Sequence, residues 1–276
     1  MKGGPLAERI RAEVADDVRE IGEVGLATVQ VGEDPASAIY IRRKHEAAHE
    51  AGMSSVDLKL PAEISQEKLV AAVAELNEDD GVDGILVQLP LPPGIDQEEV
   101  IAAVPEGKDV DGFTPLSLGR VFSGKPLFSP CTPLGVMALL SAYGIPVEGR
   151  DAVVVGRSLE VGRPMAALLL NAGATVTVCH SKTRDLAGKT RRADILVTAM
   201  GKAGFITGDM VKEGVVAVDV GISMVDGKPR GDLDFLSVEP RATAITPVPG
   251  GVGPMTIAML MENTFRAARE RRCRPA

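Results

Sequence analysis

The sequence is short of cysteine, of histidine and of long apolar runs, and each shortage removes a class of protein. Its three cysteines, Cys131, Cys179 and Cys273, stand far apart and form no CxxC pair. An odd, scattered set of this kind predicts reduced thiols and a cytoplasmic address rather than a disulfide scaffold. Apolar runs such as 166–170 fall far below the roughly 18 residues that suggest a membrane-spanning helix. A soluble chain without a membrane partner is therefore expected. The opening MKGGPLAERIRAEV has no apolar segment of the kind found in secretory signals. With 30 Lys and Arg against 38 Asp and Glu, the net charge is −8, which predicts no recruitment of nucleic acid. The basic stretch 266–274 is interrupted by Glu270 and reads as a solvated helix end.

What the 276 residues do contain is a sustained alternation of strand-like and helix-like segments, long enough for two modest domains with real cores. Residues 26–31 are rich in β-branched side chains and read as a strand. Asp34-Pro35 then opens a helix that runs to about residue 51, with Gly52 closing it. Further strands are expected at 56–60 and 85–89, separated by a helix that Ser65 caps. From 105 to 133 clustered Gly, Pro and Asp read as a loop-rich bridge. Beyond it, 132–142 and 162–171 read as helices, and 152–155, 175–179, 195–198 and 215–220 as strands. After the glycine-rich turn 249–253, a last helix spans 254 to about 272. Short apolar strands with intervening helices imply parallel βαβ units. There is no internal repeat. The fold class is α/β, in two domains.

The strand at 151–155 runs into Gly156-Arg157-Ser158-Leu159-Glu160-Val161-Gly162, and a helix follows. Small residues at such a turn let backbone approach a pyrophosphate, whose charge sits at the helix N-terminus. Ser158 replaces the second glycine of the usual fingerprint, so a plain tight βα turn is the alternative; the strand–turn–helix context favours a cofactor. The next strand ends in His180-Ser181-Lys182-Thr183-Arg184. An NAD site places a carboxylate here for the ribose 2′-hydroxyl. Hydroxyls and positive charge suit a 2′-phosphate instead, and Arg157 can reach the same group. NADP is the expected cofactor, against the alternative that Lys182 and Arg184 are merely solvated.

Tyr40 and Lys44 lie four residues apart and share one helix face. A lysine whose pKa is depressed by burial or nearby charge can serve as an acid/base catalyst, and an aromatic neighbour suits a flat heterocyclic substrate. Tyr40-x-x-x-Lys44 also matches the catalytic pair of short-chain dehydrogenases, but there the glycine-rich turn precedes the pair and here it follows. His45-Glu46-Ala47-Ala48-His49 is a literal HExxH, a zinc pattern when on a helix. The only other histidine, His180, belongs to the cofactor turn, and the two histidines are rotated roughly 100–140° from Lys44 at 3.6 residues per turn. No metal is expected, and His45 and His49 are read as helix-surface residues. Gln88 ends a strand, where ligands of open α/β sheets gather; its alternative is a polar cap. Asp111 can accept two hydrogen bonds from an amidine-like edge, or simply belong to an Asp-Gly turn.

Together these segments resemble the bifunctional methylenetetrahydrofolate dehydrogenase/cyclohydrolase family over essentially the whole chain. The matching stretches are VGEDPAS at 31–37 with Tyr40 and Lys44, GILVQLPLP at 84–92, KDVDGF at 108–113, the Gly156-Arg157-Ser158 turn, TVTVCHSKT at 175–183 and TPVPGGVGPMT at 246–256. The resemblance implies an N-terminal α/β catalytic domain at 1–137, a Rossmann-type NADP-binding domain at 138–251 with a cleft between them, and a last helix, 252–276, packing back on the first. It implies oxidation of 5,10-methylenetetrahydrofolate by NADP and hydrolysis of the methenyl product to 10-formyltetrahydrofolate, in one-carbon metabolism and purine biosynthesis. Lys44 would be the acid/base of the hydrolysis, Tyr40 would pack over the folate, Gln88 would assist Lys44 and Asp111 would anchor the pterin. Pro249, Gly250 and Gly251 would border the folate tail. Gly156, Arg157, Ser158, Val161, Gly162, Ser181 and Ile222 would contact the cofactor, with Arg157 and Ser181 toward the 2′-phosphate. A homodimer is also implied.

The sequence departs from the family pattern at Leu159 and Glu160, where the family usually has Asn-Ile, at Thr114, and at Gly3-Gly4, where an Asp-Gly is usual. Glu160 brings a negative charge to the pyrophosphate turn, which bears on cofactor affinity. The competing functions are a folate dehydrogenase without cyclohydrolase activity, against which Lys44 stands, a non-catalytic NADP-binding protein, and a zinc hydrolase built on His45 and His49.

Overall fold

The computed structural model describes residues 1–32 and 35–273, with backbone alone for 35–39. It resolves into two compact units. One takes in Glu8–Arg120, Lys125–Cys131 and the chain from Ile257 onward; the other takes in Met1–Ala7, Val121–Gly124 and Thr132–Thr256.

In the first unit, α1 (Gly4–Ile21) leads into β1 (Gly25–Val31), α2 (Pro35–Glu50), β2 (Ser54–Leu60), α3 (Gln66–Glu78), β3 (Gly84–Val87), α4 (Gln97–Ala102) and α5 (Pro115–Phe122). The three strands form a parallel sheet in the order β2-β1-β3. Ala27 and Val29 of β1 pack with Ile85 and Val87 of β3 against Leu69 and Val73 of α3 and Val100 of α4. Each fully buried aliphatic side chain of this kind contributes about 1.5–3 kcal/mol. Side chains alternate across a strand, so Thr28 faces the other way. Its hydroxyl meets His45 Nε2 of α2 at 2.9 Å, which puts α2 on the opposite face from α3. Ser65 caps α3 by accepting from the Lys68 N–H, and Gly52 turns the chain out of α2 at φ +76°. Of the expected Asp34-Pro35 opening, Pro35 begins α2 and Asp34, with Glu33, lies outside the described residues.

The strand expected at 85–89 stops at Val87. Prolines at 90 and 92 have no N–H to continue a ladder, and the Leu89–Pro90 peptide is cis. The region read as a loop-rich bridge contains α5, whose Val121 and Ser117 are buried while Leu116 and Phe122 are exposed.

The second unit begins at α6 (Cys131–Ala142) and continues through β4 (Asp151–Val155), α7 (Gly162–Asn171), β5 (Thr175–Cys179), α8 (Leu186–Thr190), β6 (Ile195–Thr198), β7 (Val215–Asp219), the hairpin β8 (Ser223–Val225) and β9 (Lys228–Arg230), α9 (Phe235–Val238) and β10 (Ala242–Ile245). Five strands pair in parallel in the order β10-β7-β6-β4-β5. The central strands are uninterrupted Val, Ile, Leu and Ala runs, as befits strands buried on both faces. Val153, Val155, Leu196 and Ala217 form a core with Ile206, Leu233 and Val238. The last helix, α10 (Val252–Cys273), starts two residues before the expected Pro254, which its first turn tolerates, and runs from the second unit into the first. No helix among the described residues is long and apolar enough to cross a membrane.

Candidate active site

In the first unit, Lys44 stands half-buried on α2, one turn beyond Tyr40, which is 39% exposed. Gln88 follows β3 directly. Its backbone N–H still donates to Val29 O at 2.9 Å, extending the pairing by one residue, so the side chain emerges at the carboxyl end of the sheet. There Lys44 Nζ donates to Gln88 Oε1 at 3.2 Å, and Gln88 Nε2 donates to Leu89 O at 2.8 Å. Both ends of the amide are committed, so its carbonyl faces the ammonium.

Asp111 sits half-buried in the loop that Asp109 shapes. The buried Asp109 carboxylate accepts from Phe113 N at 3.1 Å, Thr114 N at 2.9 Å and Ser117 Oγ at 2.6 Å. Burial raises the Asp111 carboxyl above the usual range, while the Lys44 charge and a hydrogen bond with the Cys131 thiol pull it down. Lys44, Gln88 and Asp111 are thus brought together. Two further residues close the cluster without having been read in the sequence. Asn263, fully buried on α10, donates through Nδ2 to Val110 O at 2.8 Å and Ser129 O at 3.1 Å. Cys131 Sγ also donates to Val110 O, at 3.4 Å. Burial, and then the Asp111 charge, push this thiol well up, so it packs and donates rather than attacks. The prolines on either side of Cys131-Thr132 were the available signal for Cys131. Nothing in the local sequence marked Asn263.

His45 corrects the surface reading, whereas His49 is exposed as expected. His45 has only 15% of its side chain exposed. Its Nε2 meets Thr28 Oγ1 at 2.9 Å and its Nδ1 meets Ser55 Oγ at 2.8 Å, with His49 Nε2 at 3.5 Å from the same serine hydroxyl. Both ring nitrogens of His45 are engaged with hydroxyls. No group of three or more His, Cys, Asp or Glu side chains suited to a metal exists among the described residues.

In the second unit the sequence-derived cofactor residues gather at the carboxyl edge of the sheet. Gly156 ends β4 at φ +139°, and a Cβ there would run into the backbone of Ala199; only glycine fits. A Cβ at Gly162 would overlap the Gly156 carbonyl. The turn between them is closed by Ser158, whose Oγ accepts from Val161 N at 3.1 Å and whose carbonyl accepts from Arg163 N at 3.1 Å. Val161 gives α7 no side-chain cap, Arg163 N is taken by Ser158 O and Pro164 has no N–H, so the Gly162 N–H and the helix dipole are what α7 offers an anion. Arg157 and Ser158 are exposed, and Glu160 is half-buried in the same turn.

Beyond β5, His180 N donates to Thr183 Oγ1 at 2.8 Å and Thr183 N to His180 O at 2.8 Å, a tight turn that leaves Ser181, Lys182 and Arg184 exposed. The first carboxylate past this strand, Asp185, is used as the N-cap of α8, accepting from Gly188 N at 3.0 Å. The residues at this edge therefore fit a 2′-phosphate better than a bare ribose hydroxyl. Ile222, 44% exposed, follows the end of β7. The Pro249–Gly251 loop has a cis Val248–Pro249 peptide and is held by Gly3 N, which donates to Gly250 O at 2.9 Å.

A parallel nucleotide-type sheet with a glycine turn after β4, in a chain whose other unit gathers a lysine, an amide and a carboxyl, defines a dinucleotide-binding α/β protein of the two-unit class. Comparison with known proteins is more specific. The catalytic-domain model of tetrahydrofolate dehydrogenase/cyclohydrolase matches residues 1–111, and the NAD(P)-binding-domain model of the same family matches 130–272. The bifunctional protein FolD of Methanoculleus marisnigri is 58% identical over 275 residues, covering 99% of this chain and 97% of the relative. The crystal structure of FolD methylenetetrahydrofolate dehydrogenase/cyclohydrolase from Campylobacter jejuni superposes with a TM-score of 0.96 at 49% identity, covering 98% of each chain. The Trypanosoma brucei enzyme, solved with NADP and an inhibitor, superposes with a TM-score of 0.94 at 37% identity, covering 99% of this chain and 98% of that one. The chain belongs to the tetrahydrofolate dehydrogenase/cyclohydrolase family.

Proposed function

We propose that the chain is an NADP-dependent 5,10-methylenetetrahydrofolate dehydrogenase and 5,10-methenyltetrahydrofolate cyclohydrolase. NADP supplies the hydride acceptor for oxidation of the methylene carbon. The second reaction is hydrolytic: water adds to the methenyl carbon, the bond from that carbon to N5 breaks, and 10-formyltetrahydrofolate and a proton leave. Lys44 carries the proton from the attacking oxygen to N5. Gln88 Oε1 holds Lys44 Nζ in direction, so that the amine reaches the carbon rather than solvent. Asp111, kept at a raised pKa by burial, receives the amidine-like edge of the pterin. Tyr40, one turn away on the same helix, covers the ring. Pro249, Gly250 and Gly251 border the folate tail.

Gly156, Ser158, Val161 and Gly162 would hold the cofactor's pyrophosphate, Arg157 and Ser181 would hold its 2′-phosphate, and Ile222 would flank its redox end. The protein works as a homodimer in the cytoplasm, in the one-carbon metabolism that feeds purine biosynthesis. The observation that carries the hydrolytic half is the hydrogen bond from Lys44 to Gln88 beside a carboxyl whose titration feels the Lys44 charge. One assay tests both halves. With methylenetetrahydrofolate and NADP, the absorbances of NADPH and of the methenyl compound are followed together. NADPH formation with little methenyl accumulation is expected. Accumulation of methenyl equal to NADPH would remove the cyclohydrolase, and no NADPH would remove the dehydrogenase.

A further inference from the structure

The order β10-β7-β6-β4-β5 reverses direction between β4 and β6, and ligands of open parallel sheets sit in the crevice at such a point. One wall of that crevice is the Gly156 turn. The other is the segment after β6, from Ala199 to Lys202, against which Gly156 packs. Its shape depends on two buried carboxylates far along the chain. Asp232, fully buried, takes Met200 N on Oδ2 at 2.5 Å and Lys202 N on Oδ1 at 2.6 Å. Asp219, at the end of β7 and 3% exposed, takes on Oδ1 the Thr198 hydroxyl at 3.1 Å, Gly221 N at 3.1 Å and Asp232 N at 3.0 Å. Its Oδ2 takes Leu233 N at 2.9 Å.

The two carboxylates thus gather backbone N–H groups from Met200, Lys202, Gly221, Asp232 and Leu233, and among the described residues no side-chain cation forms a salt bridge with either. Acceptor-only groups suit that role, because every donor points inward and no oxygen must reorient. The packing leaves no slack: a Cβ on Gly221 would overlap the Asp232 carboxylate, and one on Gly231 would overlap that of Asp219. Burying two acids side by side is costly, and in the Asp219 carboxyl the cost is visible as a raised pKa.

We propose that Asp219 and Asp232 are positioning residues for the dinucleotide: Asp232 fixes the loop after β6 at Met200 and Lys202, and Asp219 fixes Asp232 itself together with the Gly221–Ile222 turn. The crevice wall facing Gly156 is then set before the cofactor arrives. This rests on the reading of the second unit as an NADP site. An amide at either position places an NH2 against a backbone N–H, and one donor is left without a partner.

The test is calorimetric titration with NADP of the unaltered chain and of Asp232→Asn, Asp219→Asn and Gly221→Ala, alongside dehydrogenase kinetics. Gly221→Ala keeps both carboxylates and displaces Asp232 by bulk alone. In each variant the Kd and KM for NADP rise about tenfold or more, as the loss of a charge-assisted hydrogen bond dictates, while kcat at saturating NADP moves far less. Hydrolysis of supplied methenyltetrahydrofolate, which consumes no dinucleotide, also changes far less than NADP affinity. NADP affinities equal to that of the unaltered chain would overturn the inference. So would parallel loss of NADP affinity and hydrolysis, the mark of a general loosening. An unaltered chain that binds no NADP would overturn the cofactor reading itself, and the inference with it.

Discussion

Gln88 turns its carbonyl oxygen, and not its amide nitrogen, toward Lys44: Nζ donates to Oε1 at 3.2 Å while Nε2 is held by Leu89 O at 2.8 Å. The amide therefore steers the amine without adding charge. In Gln88→Ala the lysine loses a hydrogen bond involving a charged group, about 1.5–3 kcal/mol, so hydrolysis of methenyltetrahydrofolate falls about 10- to 100-fold. Gln88→Glu sets a carboxylate beside the amine and favours its charged form. Its pH–rate profile for hydrolysis moves to higher pH, measured with methenyltetrahydrofolate as the sole substrate.

Arg157 stands exposed in the turn after β4, and Asp185, the first carboxylate past β5, is consumed as a helix cap. Arg157→Ala lowers the ratio of kcat/KM for NADP to that for NAD by about tenfold or more, the worth of one charge-assisted hydrogen bond to phosphate. The loss is greatest at low ionic strength. An unchanged ratio would move the 2′-phosphate elsewhere.

The Asp219 carboxyl is pushed up from an ordinary 3.8 to about 6, first by burial, with the facing Asp232 adding to the rise and its hydrogen bonds opposing it. A raised carboxyl binds its proton more tightly in the folded chain than in the unfolded one. Its contribution to stability is therefore complete below pH 3.8 and is lost as pH climbs through about 6. The difference amounts to about 3 kcal/mol. The denaturation free energy of Asp219→Asn minus that of the unaltered chain should rise by about this amount between pH 4 and pH 7 and stay level above. A flat difference would contradict the shift.

Both ring nitrogens of His45 are bound to hydroxyls, so the HExxH pattern serves the packing of α2 on the sheet. Chelators leave both activities unchanged. His45→Ala leaves the fully buried Thr28 hydroxyl with Asp57 alone, at 3.3 Å, and takes the ring partner from Ser55, at a cost of about 0.5–1.5 kcal/mol for each lost hydrogen bond, read from the urea midpoint. Stoichiometric zinc in the purified protein would overturn this.

The regular parts of the fold were plain in the sequence because each satisfies a local rule. β4, β5 and β6 are short apolar runs between turns, and α7 follows its glycine turn at once. The amino-terminal helix α1 and the short α8 went unread, the first for want of a cap signal, the second because five residues show no periodicity. In the active site, Lys44, Gln88 and Asp111 were visible as motif residues, but their meeting followed only from the family resemblance and not from local pattern, since it depends on β1 pairing with β3. His45 was misread because HExxH marks spacing along a helix and says nothing of which face meets a sheet. Asn263 and the Asp219–Asp232 pair could not be found locally at all: their partners lie 134 and 153 residues away for Asn263, and 32 and 30 for Asp232.

The most direct test of the hydrolytic assignment is the rate at which Lys44→Met converts methenyltetrahydrofolate to the 10-formyl compound, compared with the unaltered chain. Loss of an acid/base group predicts a fall of about 100-fold or more, with NADP affinity retained. A variant that hydrolyses as fast as its parent would contradict the role given to Lys44.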